Sequence, residues 1–100
     1  MPNMNIVVPN PLGKEAAKTK LKNFLETVRS KYKDQVSNLE ETWVDDTLNY
    51  SFKTYGFAIK GQLIVEESQV VVNGALPMAA FAFRGKIEQS IKTELEKQLA

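Results

Sequence analysis

The sequence predicts an α+β domain, with both helices laid on one face of a curved antiparallel sheet. Three observations carry that expectation. Apolar residues recur at helical spacing near the N-terminus, alternate with period two from Leu39 to Leu76, and return to helical spacing after Pro77. Strands grouped together, with helices at both ends of the group, argue α+β rather than a parallel sheet, which needs a crossover between successive strands. At 100 residues the whole chain, 1–100, is read as one domain, because halves of this length would bury too little core to stand without staples.

The elements follow in order. Asn5-Ile6-Val7-Val8 is short, β-branched and closed by Pro9, a first strand. Asn10-Pro11 offers a capping residue followed by proline, a helix-start signal. From there to about Val36, residues Ala17, Leu21, Phe24, Leu25, Val28 and Tyr32 form one stripe at ~100° per residue, predicting a single long amphipathic helix. Thr42 and Val44 then alternate with Glu41 and Trp43, and Asp45-Asp46 is placed in a tight turn. Leu48, Tyr50 and Phe52 share one face of the next strand, and Tyr55-Gly56 reverses the chain. Phe57, Ile59, Leu63 and Val65 share a face of the strand after it, in which Gly61 is expected to mark a bulge or bend. After Glu67-Ser68, Val70, Val72 and Leu76 complete a four-stranded meander. Pro77 ends it, and Ile87, Ile91, Leu95 and Leu99 recur every four residues in a C-terminal helix. The order is β-α-β-β-β-β-α, similar to a truncated helix-grip fold.

Two zeros in the composition exclude the most chemistry. With no cysteine and no histidine, disulfide scaffolds, thiolate zinc sites, thiol nucleophiles and imidazole acid–base catalysis are all ruled out. The serines have no histidine to activate them. The doublets Glu40-Glu41, Asp45-Asp46 and Glu66-Glu67 lie at strand edges and turns, where adjacent side chains diverge instead of converging as paired acids. No phosphate-binding glycine motif is present, and Asp45-Asp46 lacks the spaced ligands of a calcium loop. The expectation is therefore no enzyme, no cofactor and no metal.

A net charge of +1 predicts no strong pull toward nucleic acid. The charge is nonetheless segregated. Residues 1–33 carry seven Lys or Arg against two Glu, and residues 34–50 carry five acids and no base. The two segments are expected to face each other or to lie on different sides of the domain. The lysines flanking the first helix read chiefly as stems covering the edge of the core. No apolar run approaches the ~20 residues of a membrane span, and the N-terminus has no leader pattern, so a cytoplasmic protein is expected.

Two apolar features remain as binding candidates. Trp43, Tyr50, Phe52, Tyr55 and Phe57 cluster on adjacent strands. They either fill the core or line a groove between the sheet and the C-terminal helix, where Tyr50 and Tyr55 would present hydroxyls beside apolar surface. Gly74–Phe83 has no polar side chain over ten residues. It is either a buried plug or an exposed patch, with Leu76, Met78, Phe81 and Phe83 as contacts and Arg84 and Lys86 as a charged rim.

Several segments together resemble a bacterial family, the polyhydroxyalkanoic acid system proteins. The matching residues are Pro-Leu-Gly-Lys-Glu-Ala-Ala at 11–17, the Trp43 strand running to Leu48–Phe52, Gly56 followed by Gly61-Gln-Leu-Ile-Val, and Leu76-Pro77 leading into Phe83-Arg84-Gly85-Lys86-Ile87-Glu88. Family members often carry a histidine before the first helix, and residues 5–12 have none here. The family has no catalytic activity to carry over. What the resemblance implies is an accessory protein of polyester storage, which adds a granule surface to the possible partners and granule association to the expected location. An apolar ligand and a second copy of the chain are the other candidate partners.

Overall fold

The computed structural model describes residues 3–54 and 56–100, so Tyr55, named above as a candidate contact, lies outside the described residues. Strand β1 (Asn3–Pro9) is followed by helices α1 (Lys14–Leu21) and α2 (Phe24–Lys31). Strands β2 (Val36–Val44), β3 (Thr47–Thr54), β4 (Phe57–Val65) and β5 (Gln69–Ala75) come next. A 3-10 helix (Met78–Phe83) then leads directly into helix α3 (Arg84–Leu99). All five strands form one antiparallel sheet in the order β1-β5-β4-β3-β2. The fold is α+β with an open sheet.

The period-two reading placed the inner face of β3, β4 and β5 correctly, and β1 adds its own alternating residues to it. Met4, Ile6 and Val8 of β1, Leu48 and Tyr50 of β3, Ile59, Leu63 and Val65 of β4, and Val70 and Val72 of β5 are buried in one core. Leu21, Phe24, Leu25, Ile87, Leu95 and Leu99 close that core from the helical side. The opposite face of the sheet is uncovered. Across it run two registered rows, an amide row of Asn5, Asn73, Gln62 and Asn49, and a β-branched row of Val7, Val71, Ile64, Thr47 and Val44. Gln62 Nε2 donates to Asn49 Oδ1 across the amide row at 3.1 Å.

Three local expectations need correction. The long N-terminal helix is two helices, interrupted at Lys22-Asn23, where Asn23 leaves helical geometry at φ −101°, ψ 7°. Both halves still bury the same stripe, Ala17 and Leu21 from α1 and Phe24 and Leu25 from α2. A residue that competes for backbone hydrogen bonds sits at the break. The helix also begins at Lys14 rather than at Pro11. Asn10 caps nothing helical; its Oδ1 accepts from the Leu12 N–H at 3.1 Å, and its Nδ2 donates to the Glu66 carbonyl at 3.0 Å, fastening the loop to the β4–β5 turn. The third correction concerns the bulge offered, beside a bend, as the reason for Gly61.

No register shift marks β4 at Gly61. Gly61 faces Tyr50 on one side and Gly74 on the other. The Tyr50 hydroxyl extends over the two glycines and donates to the Asn73 carbonyl at 2.9 Å. A Cβ at Gly61 would lie 2.6 Å from the Tyr50 hydroxyl and against the Asn73 carbonyl, and one at Gly74 would lie 2.9 Å from that hydroxyl. The glycines make room for an aromatic ring that covers bare backbone. The actual irregularity in the sheet is in β2, between Ser37 and Glu40, where Asn38 takes φ 54°.

The segregated charges do meet. Lys14 and Lys18 of α1 both pair with Asp46 in the β2–β3 turn, at 3.2 and 3.0 Å. The Lys18 hydrogen bond, with Lys14 beside it, holds the Asp46 carboxyl below the usual carboxylate range. Asp45, at φ 53°, makes the expected two-residue turn.

Candidate functional site

Two apolar features survive as candidate sites, one exposed and one recessed. The exposed one is the segment after Pro77. Pro77 has no N–H to continue the ladder and sets φ at −59°. The Ala80 N–H donates to the Pro77 carbonyl at 2.9 Å, closing the first 3-10 turn. Leu76 and Ala80 are fully buried and anchor the turn from beneath. Met78, Phe81 and Phe83 point the other way and are 76%, 54% and 40% exposed. The Phe83 ring lies 6.0 Å from that of Phe57, and the Arg84 guanidinium sits 5.4 Å above the Phe81 ring. Arg84 also pairs with Glu88 at 3.6 Å. Among the sequence candidates, therefore, Met78, Phe81, Phe83 and Arg84 form one apolar ridge with a cationic edge. Leu76 is its buried footing and not part of its surface.

The recessed feature lies between the sheet and the helices α2 and α3. A cavity of about 80 Å³ opens there, walled by Leu25 and Val28 of α2, Leu48 and Phe52 of β3, and Ile87 and Ile91 of α3. Tyr50 also lines it, stacked on Phe52 with ring centroids 5.9 Å apart. Burial pushes the Tyr50 phenol well above its ordinary range, and its hydroxyl is committed to Asn73. Tyr50 thus offers an occupant its ring, not the free hydroxyl that the sequence suggested. Trp43 packs against the core but is not among the cavity's walls, and its Nε1 is buried without a hydrogen-bond partner among the described residues.

One edge of the cavity is polar. Tyr32, Ser90 and Glu94 line it there. Glu94 is only 3% exposed. Its Oε1 accepts from the Lys31 ammonium at 2.6 Å and from the Tyr32 hydroxyl at 3.1 Å, and Lys97 approaches the same oxygen at 3.9 Å. Burial alone would raise the Glu94 carboxyl. The hydrogen bonds from Lys31 and Tyr32, with the charges of Lys31 and Lys97, outweigh it and hold the group below the usual range. Lys31 is raised by the same bond, and Lys97 is lowered, chiefly because Lys31 stands beside it.

The sequence reading passed over this cluster. Its signal was a charged residue at position 94 inside the stripe Ile87, Ile91, Leu95, on the face of α3 that must turn inward. Counting only the every-fourth-residue series hides it, because Glu94 is three after Ile91. An acid on a buried helical stripe needs a partner from another element. Lys31, sixty-three residues away, supplies it.

Among the described residues, no three His, Cys, Asp or Glu side chains gather as a metal site, and no helix is long and apolar enough to cross a membrane. The family model for polyhydroxyalkanoic acid system proteins matches residues 4–99. No curated protein and no solved structure matches the chain.

Proposed function

The chain belongs to the polyhydroxyalkanoic acid system family, and from that premise we propose that it is a non-enzymatic accessory protein of polyester storage that binds apolar matter. The observation that carries the proposal is the ridge. Three large apolar side chains stand exposed within one short 3-10 helix, Met78 and Phe81 one turn apart on the same side and Phe83 against Phe57, while Leu76 and Ala80 anchor the segment in the core. Scattered exposed apolar residues need no explanation, but a contiguous group rimmed by charge marks a contact surface. A polyester granule in the cytoplasm offers a matching apolar surface.

The test is partition of the purified protein onto polyester granules. Full burial of a Met or Phe side chain stabilises by roughly 1.5–3 kcal/mol each, and a carboxylate at the contact reverses the sign. Replacing both Met78 and Phe81 by Asp is expected to lower the bound fraction at least tenfold, with the circular dichroism spectrum unchanged because neither side chain is in the core. Partition equal to the parent's would sink the assignment. The competing occupant of the ridge is a second copy of the chain. Sedimentation separates the two: a concentration-independent monomer removes the dimer, and a dimer that the double substitution dissociates removes the granule.

A second reading is favoured by the cavity between α2, α3 and the sheet. Protein interiors are normally packed to crystal-like density. An open apolar recess with a few polar groups at one edge is the ordinary form of a small-ligand site. On this reading the protein also holds an aliphatic group between sheet and helices.

A further inference from the structure

Glu94 is placed where a carboxylate has most to gain from an added donor. It lines a mostly apolar cavity whose other polar walls, Tyr32, Gln35, Thr54 and Ser90, carry no formal charge, and Lys31, Tyr32 and Lys97 all crowd onto Oε1. Oε2 accepts no hydrogen bond from any described residue. An ionised carboxylate has about four lone-pair sites. Oε2 is not among the buried polar atoms left without a partner, so it keeps contact with solvent and can take a donor that replaces water there. Ser90, one turn earlier on α3, brings a hydroxyl to the same cavity.

Charge selects the kind of donor. Lys31 and Lys97 neutralise Glu94 from the solvent side, being 44% and 59% exposed, and neither lines the cavity. An alkylammonium would bring a third cation to a cluster that already sums to +1, and would lose most of its own hydration. An alkanoate would set its carboxylate against Oε2, with the lysines behind it. A neutral hydroxyl avoids both penalties and donates to Oε2.

We propose that the cavity binds a short linear alkyl chain bearing a hydroxyl, with the chain among Val28, Phe52 and Ile91 and the hydroxyl donating to Glu94 Oε2. The inference rests on the reading of the cavity as a ligand site. Size agrees with it: 80 Å³ is a little under three water-sized shares of about 30 Å³. Such a space takes about three or four methylenes, and its open side lets a longer chain continue outward.

The experiment titrates the full chain with butan-1-ol, its isomer methyl propyl ether, butanoate and butylammonium, following backbone amide shifts by NMR. Butan-1-ol is expected to bind at least tenfold more tightly than the other three and to shift residues lining the cavity. From ethanol to butan-1-ol, each methylene is expected to tighten binding roughly fourfold. Ile91→Phe, or Val28→Phe should the first not fold, fills the space without touching Glu94 and is expected to abolish the shifts. Glu94→Leu is expected to bring the alcohol down to the level of the ether. Equal binding of alcohol and ether in the cavity overturns the hydroxyl assignment and leaves the ligand site standing, as does tighter binding of either charged probe. Absence of cavity shifts with every probe overturns both. Shifts confined to Met78–Phe83 do the same.

Discussion

Gly61→Ala is expected to destabilise the protein by about 3 kcal/mol, the upper part of the range for forcing atoms into a filled core. For a domain of this size that is a fall in melting temperature of roughly 12–24 °C. The added Cβ would sit 2.7 Å from the Gly74 Cα and 2.6 Å from the Tyr50 hydroxyl, as well as against the Asn73 carbonyl. Two of these neighbours are backbone in the middle of the sheet, so the strand pair must open for the methyl to fit. The opposing effect, a smaller loss of unfolded-chain entropy, is worth only about 0.4–1 kcal/mol, and it loses. Gly85→Ala isolates that smaller term. Gly85 is the second residue of α3, with nothing within 4 Å of an added methyl, so the substitution is expected to raise stability by roughly 0.5–1 kcal/mol. Truncating Tyr50 is not expected to rescue Gly61→Ala, because the Asn73 and Gly74 backbone remains in place. Urea unfolding of the three variants checks this order, and a Gly61→Ala protein as stable as the parent would show that the strands have slack there.

The limits of what the sequence disclosed are physical. Alternation was readable where one face of a strand is buried and the other faces out, as in Leu48 and Tyr50 against Thr47 and Asn49 and in Val70 and Val72 against Val71 and Asn73, because a one-residue slip would turn every side chain over. Helical spacing likewise found the face that α1 and α2 share, yet missed the break at Lys22-Asn23. A stripe records which side is buried and says little about whether the axis is continuous. The exposed ridge was half legible. A ten-residue run without a polar side chain marks Gly74–Phe83 as unusual, but which residues face outward is set by the 3-10 geometry. That geometry buries Leu76 and Ala80 and exposes Met78, Phe81 and Phe83. The polar edge of the cavity was illegible for a different reason. It joins Lys31 and Tyr32 to Glu94 across more than sixty residues, and no local pattern encodes a partner so distant.

That long-range tie gives the second large effect. Glu94→Lys is expected to cost about 3 kcal/mol, in line with breaking a buried ion pair by removing one partner. It would place a third ammonium between Lys31 and Lys97 at a position that is 3% exposed. Glu94→Gln is expected to cost much less, because both lysines are substantially exposed and water can take up their charge once the carboxylate is gone. The pH dependence then distinguishes an ionised buried acid from a merely polar one. The native carboxyl is held below the usual carboxylate range, so the unfolded chain takes up this proton first as acid is added. Its contribution is therefore complete above the ordinary value of about 4.3 and is lost as pH falls through the lower native value. Asp46, lowered by Lys18 and Lys14, titrates in the same direction, so the comparison is made in an Asp46→Asn background. There, the stability gap between the protein retaining Glu94 and its Glu94→Gln variant, read by urea unfolding, is expected to be full at pH 7 and to shrink steadily between about pH 5 and pH 3. A gap independent of pH over that range would mean that Glu94 is not held as a carboxylate. It would also remove the charge argument for a neutral occupant, since the same ionised group both ties α3 to α2 and faces the cavity.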